Sequence, residues 1–315
     1  MRVCVAGGTG TIGRAVVREM VKRGHVVTCL SRRPDDGLAA IAQVALADLA
    51  DTKALGRIFA EGRFDAVISC VASRTGVPDD AWAIDHRANL NLLGAAREAG
   101  IGQFVLLSAI CVQRPLLAFQ HAKLAFEAAL ASSGLRYSIV RPTAFFKSLS
   151  GQIERVRAGK PFLVFGNGDL TACKPISDGD LAAYIADCLD HEDRWNRVLP
   201  IGGPGPALTP RAQGEALFAM LGQEPRFRSV PLGFLGAIAG MLGLAGKVIP
   251  GLAAKAELAR IGRYYASESM LVLDPATGRY DAEATPSTGS DTLFDHYRAV
   301  LDGRASVDRG DHAVF

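Results

Sequence analysis

The sequence predicts an α/β fold: a doubly wound parallel sheet with a smaller, mostly helical C-terminal region. Three observations predict it. Short apolar runs alternate with amphipathic helical runs through the first half of the chain, the order that gives parallel strands joined by crossover helices. The first apolar run leads into glycines at three-residue spacing, Gly7, Gly10 and Gly13, and then into a helix carrying Ala15, Val16, Met20 and Val21. The second half loses this alternation and becomes polar and turn-rich after Asp274.

The opening stretch carries the strongest signal. Strand, glycine turn and helix follow one another in the order that makes a Rossmann dinucleotide site. Gly7 permits a sharp turn, Gly10 lets the backbone approach a pyrophosphate, and Gly13 lets the helix pack close to its strand. Thr9, Thr11 and Ile12 complete the turn, and the helix N-terminus offers free N–H groups to the anion. The second strand, over 25–30, ends in Ser31, Arg32 and Arg33. An acid there would bind the ribose 2′-hydroxyl of NAD. A hydroxyl and two guanidiniums suit a 2′-phosphate, so the expected cofactor is NADPH; the alternative is a solvated Arg pair.

The remaining elements follow in order. A short third strand over 44–49 places Asp48 near the adenine. A helix spans 54–59. The apolar run 64–73 reads as a parallel strand covered on both faces, with Val71, Ala72, Ser73 and Arg74 at its carboxyl end facing the cofactor. A long helix over 81–99 follows, interrupted on its inner side by Asn89 and Asn91. Strand five, over 103–110, brings Ser108 to the crevice, where it would bond a ligand or cap the next helix. The helix 118–130 carries Phe119 and Lys123, and strand six, over 135–142, ends at Pro142.

Beyond this the expected order is a strand over 161–165, a hairpin-type turn over 166–169, a helix capped by Ser177 or Asp178, and a strand over 197–203 returning to the main sheet. Another helix is capped by Thr209 and Pro210, and a closing helix spans 292–301. The expected division is a nucleotide-binding domain, 1–155, with the returning strand, and a substrate-binding region, 156–315; residues 304–315 read as a frayed tail.

Composition narrows the classes. Of 315 residues, 49% are hydrophobic, and 35 basic against 32 acidic residues leave a net charge of +3. Without a basic block, a nucleic-acid partner is not expected. The six cysteines are scattered with no Cys-x-x-Cys pair, so neither a metal cluster nor a disulfide framework is expected. The first strand begins at Arg2, which leaves no room for a signal peptide, and the expected compartment is the reducing cytosol. The stretch 231–246 has no acid or base before residue 247 and five glycines, at 233, 236, 240, 243 and 246. It is shorter than the ~20 apolar residues of a membrane span. Three readings stand: a buried helix or lid over an apolar ligand, a membrane-surface contact, or a spanning helix.

The glycines at 7–13, Ser108 at a strand end, Lys123 on the next helix and Arg141-Pro142-Thr143 after strand six resemble the extended and atypical short-chain dehydrogenase/reductases. Further stretches, 106–113, 119–127, 137–149, 173–177 and 264–271, are similar to the branch of that superfamily that reduces a vinyl group of divinyl chlorophyllide or protochlorophyllide in chlorophyll and bacteriochlorophyll synthesis. The resemblance spans nearly the whole chain. It implies Lys123 on the nicotinamide ribose, Pro142 and Thr143 at the cofactor, a tetrapyrrole substrate, and association with a photosynthetic membrane.

One departure bears on the reaction. The superfamily's usual proton donor is a Tyr four residues before the Lys, and here that position is Phe119. Reduction of a carbonyl needs an acid beside the forming alkoxide; reduction of a conjugated C=C does not form an alkoxide. Lys123 is the foremost catalytic candidate, with Ser108 second. The proton donor is left open among Tyr137, Lys123 and water. Arg74, Lys147 and Lys174 are candidates for a substrate carboxylate, and Phe119, Phe145, Phe146, Phe162 and Phe165 for the macrocycle. His121 as a magnesium ligand is outweighed by an ordinary helix-surface role, so no metal site is expected. The alternatives are a non-catalytic NADPH-binding regulator of the NmrA-like kind and an isoflavone-reductase-like reductase of another conjugated double bond.

Overall fold

A computed structural model of the chain describes residues 1–245 and 250–306. The tail from 307 onward and Gly246 lie outside the described residues. The described strands are β1 (Arg2–Ala6), β2 (Val26–Ser31), β3 (Gln43–Leu46), β4 (Ala66–Ser69), β5 (Gln103–Leu107), β6 (Arg136–Pro142), β7 (Phe162–Phe165), β8 (Arg197–Ile201), β9 (Phe227–Val230) and the short antiparallel pair β10 (Val272–Leu273) and β11 (Tyr280–Asp281). One sheet has the order β3-β2-β1-β4-β5-β6-β8, and every pairing in it is parallel. This is the doubly wound Rossmann arrangement. The order reverses between β1 and β4, which opens a crevice at their carboxyl ends.

Both faces of the sheet are covered, which is why its strands read as apolar runs rather than alternations. In β1, Val3 and Val5 pack on one side with Val16, Val17 and Met20 of the helix Thr11–Lys22 and with Leu181 and Ile185. Cys4 and Ala6 point to the other side, into a cluster with Leu55, Phe59, Leu92, Phe104 and Phe126. The cysteines behave as small hydrophobes: five are buried, and burial pushes Cys29 up to about 11 and Cys70 to about 12, far from a reactive thiolate.

Two expectations are corrected. The turn at 166–169 does not close a hairpin. Gly166 and Gly168 do adopt positive φ, but β7 pairs in parallel with β9, Phe162 against Phe227 through Phe165 against Val230. The helix Pro210–Met220 lies between the two strands in sequence and buries Leu217 and Phe218 in one cluster with Phe162 and Val164, a burial that an immediate hairpin would forgo. The long helix over 81–99 is not regular either. Pro78–Ala81 is α-helical, Trp82–Ala88 is a π-helix, and Asn89–Glu98 is α-helical again. Asn89 explains the stability of the wide turn. Its Nδ2 donates to the carbonyls of Ile84 (3.3 Å) and Asp85 (3.1 Å), while its Oδ1 accepts from Ser69 Oγ at the end of β4.

The uncharged segment forms the helix Leu232–Ala245, which packs against the helix Pro250–Ser267. Phe234 and Met241 on it are exposed. Among the described residues no helix is long and apolar enough to cross a membrane.

Candidate active site

The carboxyl ends of the strands open into one cavity of about 1220 Å³, larger than the ~300–1,000 Å³ typical of a single small-molecule site. It begins at the glycine turn. Gly7 has φ +81°, and a Cβ there would lie 2.6 Å from the Cys70 carbonyl carbon; at Gly13 a Cβ would lie 2.1 Å from Gly7 O. At Gly10 a Cβ would meet only Gly7 O at 3.5 Å, so this glycine faces open space. The helix Thr11–Lys22 starts with no side-chain cap and no acid in its first turn, leaving its N–H groups to an anion. Lys147 Nζ donates to Thr11 Oγ1 at 2.6 Å. This places a cation beside the turn. The residues present therefore fit a dinucleotide pyrophosphate.

Ser31, Arg32 and Asp48 line the next part of the cavity, and Arg33 does not. The Ser31 hydroxyl is engaged with the Arg33 backbone, donating to its carbonyl at 2.6 Å. The nearest acid beyond β2, Asp35, is occupied. Arg14 pairs with it at 2.6 Å and Leu38 N–H donates to it. These contacts, Arg14 first, hold its carboxyl below the usual range.

Thr9, Thr11, Ile12, Val71, Ala72, Ser73, Arg74, Ser108, Phe119, Lys123, Pro142, Thr143 and Phe145 all line the same cavity. Lys174 does not; its Nζ donates to the Thr285 carbonyl at 2.9 Å. Phe146 is buried in the cluster around Phe162, Leu217 and Tyr297. Tyr137 packs in the core beneath the sheet, and His121 is exposed, so neither reaches the cavity. Thr143 is fixed by donating to the Lys174 carbonyl.

The chemistry-bearing end centres on Lys123. Its Nζ lies 2.8 Å from Asp85 Oδ1, with side-chain exposures of 11% and 1%. The same Oδ1 accepts from Ser73 N–H at 3.3 Å. Asp85 Oδ2 is buried with no hydrogen-bond partner. Ser108 Oγ donates to Glu127 Oε1, and Glu127 also pairs with Arg141. It neither caps a helix nor has its proton free for a ligand.

The same cavity has a largely apolar lining. Phe145, Phe165, Leu170, Ile261 and Met270 are on its wall, and Arg155 joins them. Arg155 Nε is fixed on the Pro161 carbonyl at 2.7 Å, and no carboxylate pairs with it among the described residues.

Asp85, Glu127, Arg155 and Tyr265 were not legible as site residues. Asp85 sits in the π-turn, and its only trace in sequence is the pair of asparagines after it. Tyr265 lies within 264–271, a stretch that carries the family resemblance and no chemical pattern of its own.

Comparison with known proteins agrees with this geometry. A family described as NAD(P)H-binding matches residues 7–192. A divinyl chlorophyllide a 8-vinyl-reductase, chloroplastic, from Oryza sativa subsp. indica is 51% identical over 331 residues, covering 99% of this chain and 82% of the relative. Among solved structures, MoeE5 in complex with UDP-glucose and NAD superimposes with TM-score 0.69 at 18% identity, covering 97% of this chain and 100% of that one. The NADPH-dependent quinone oxidoreductase QOR2 of Escherichia coli gives 0.67 at 18% identity, over 95% and 99%. At that identity these two speak for the fold.

Proposed function

This chain belongs to the divinyl chlorophyllide a 8-vinyl-reductase family, and from that premise we propose that it uses NADPH to reduce the 8-vinyl group of divinyl chlorophyllide or protochlorophyllide to ethyl. One observation carries the proposal: a single cavity of about 1220 Å³ is lined by the phosphate cradle, by Lys123 and by the apolar side chains Phe145, Phe165, Leu170, Ile261 and Met270. Such a space suits a dinucleotide and a flat macrocycle held edge to face. The region after residue 155 supplies much of the apolar lining.

NADPH when bound supplies a hydride to the conjugated C=C. Gly7, Gly10, Gly13 and Lys147 hold its phosphates, and Arg32 serves the 2′-phosphate. Lys123 binds the nicotinamide ribose, and its charge favours the transition state in which negative charge spreads into the macrocycle. Asp85 fixes the direction of the Lys123 side chain. Phe119 stands on the cavity wall without a proton to give, which disfavours chemistry that must quench an alkoxide there. Arg155 suits the substrate's propionate carboxylate, and the helix Leu232–Ala245 suits contact with a membrane surface that carries the pigment.

Purified protein mixed with NADPH and divinyl chlorophyllide is expected to shift the Soret band to shorter wavelength with matching NADPH oxidation. The propionate methyl ester is expected to bind more weakly. NADPH binding with no change in the pigment spectrum overturns the proposal.

A further inference from the structure

The vinyl carbon attached to the ring needs a proton, and the usual position for a donor is filled by Phe119. The structure brings another phenol to the same cavity. Gly76 and Phe119 pack on Ile261 of the helix Pro250–Ser267; a Cβ at Gly76 would lie 2.7 Å from Ile261 Cδ1 and 3.6 Å from Phe119 Cδ1. Tyr265 follows Ile261 by one turn on the same face. Both line the cavity; Tyr265 as a whole keeps 38% of its surface accessible, while its hydroxyl is buried.

The neighbouring Tyr264 is used differently. Its hydroxyl donates to the carbonyls of Cys111 (2.8 Å) and Arg114 (3.1 Å), which anchors the helix to the loop after β5. Among the described residues the one hydrogen-bond partner of Tyr265 Oη is the Cys111 thiol, 3.7 Å away. Sulfur is a weak acceptor, so the phenolic proton is not committed. The charge of Lys123 also acts on Cys111, which puts phenol, thiol and ammonium in one neighbourhood.

We propose that Tyr265 is the general acid of the reaction, delivering its Oη proton to the vinyl carbon attached to the macrocycle. The inference rests on the vinyl-reductase reading. Hydride from NADPH forms a C–H bond at the terminal vinyl carbon, and the π electron pair moves into the ring system, leaving NADP⁺. That pair then forms the second C–H bond as the Tyr265 O–H bond breaks, and water reprotonates the tyrosinate, so one solvent proton is consumed per turnover. Burial holds the Tyr265 hydroxyl well above its ordinary value, which keeps the proton in place at neutral pH. Cys111 and Tyr264 are the titratable groups that act on it, and Lys123 acts in turn on Cys111.

The test is Tyr265→Phe in the full chain. Turnover is expected to fall roughly 100-fold or more, while NADPH and pigment affinities, each measured without turnover, stay within about threefold. In deuterium oxide the wild type should label the ring-attached carbon in a single configuration, and the variant's residual product should be configurationally mixed. Wild-type turnover and configuration in the variant overturn the proposal. Should Tyr265→Phe fail to fold, 3,5-difluorotyrosine at 265 keeps the ring and lowers the phenol's pKa. The alkaline decline of turnover must then move to lower pH, and an unmoved limb also overturns it. A wild type inert towards divinyl chlorophyllide would strike the activity itself, a separate result.

Discussion

At the scale of single residues, side chains of one type have been given different tasks by their neighbours. Arg32 and Arg33 are adjacent and alike in sequence, yet only Arg32 lines the cavity. Replacing Arg32 with Ala is therefore expected to weaken NADPH by about tenfold, the worth of one charge-assisted contact, and to leave NADH nearly unchanged. Arg33→Ala should do much less to either. Titration of both dinucleotides by fluorescence checks this, and equal losses for the two arginines would mean the 2′-phosphate is read elsewhere. The lysines separate in the same way. Lys147 reaches the glycine turn, Lys174 ties down a backbone carbonyl, and Lys123 pairs with a buried acid.

At the scale of elements, the π-helix Trp82–Ala88 matters most. A π-turn inserts an extra residue into the helical register, and such turns cluster at functional sites. Here Asp85 lies in that turn, opposite Lys123, with one carboxylate oxygen unpartnered in the cavity wall. Removing one member of a buried pair leaves the other charge uncompensated. Asp85→Ala is expected to cost about 3 kcal/mol of stability, and adding Lys123→Met should recover part of that loss. Urea unfolding of the single and double variants measures both. A single variant as stable as wild type would show that Lys123 finds its compensation without Asp85.

At the scale of the whole molecule, the C-terminal helices connect cavity and surface. The helix Pro250–Ser267 turns Leu258, Ile261 and Tyr265 into the cavity. The helix Leu232–Ala245 packs on it and leaves Phe234 at 59% and Met241 at 65% exposure. Arg263 and Arg260 lie beneath Gly236 and Gly243, so cations flank the apolar surface, a pattern suited to an anionic lipid interface. Phe234→Ser with Met241→Ser is expected to reduce sedimentation with anionic vesicles severalfold, with turnover of detergent-dispersed pigment unchanged. Sedimentation equal to that of the wild type would remove this helix from any membrane role.

The sequence by itself determined the sheet, the glycine cradle, the dinucleotide class and the Thr209 cap, and it narrowed the other cap to Ser177 or Asp178, of which the structure selects Ser177. Each depends on local spacing: period, turn chemistry and cap geometry act over a few residues. It also placed Lys123 and Phe119 one turn apart, because a helix fixes that separation. Only the tertiary structure decided that β7 pairs with β9, that Asp85 meets Lys123, that Ser108 turns to Glu127, and that Tyr265 shares a cavity with Phe119. Those relations join residues far apart in the chain. They are set by which apolar faces can be buried together, and no local pattern encodes that choice.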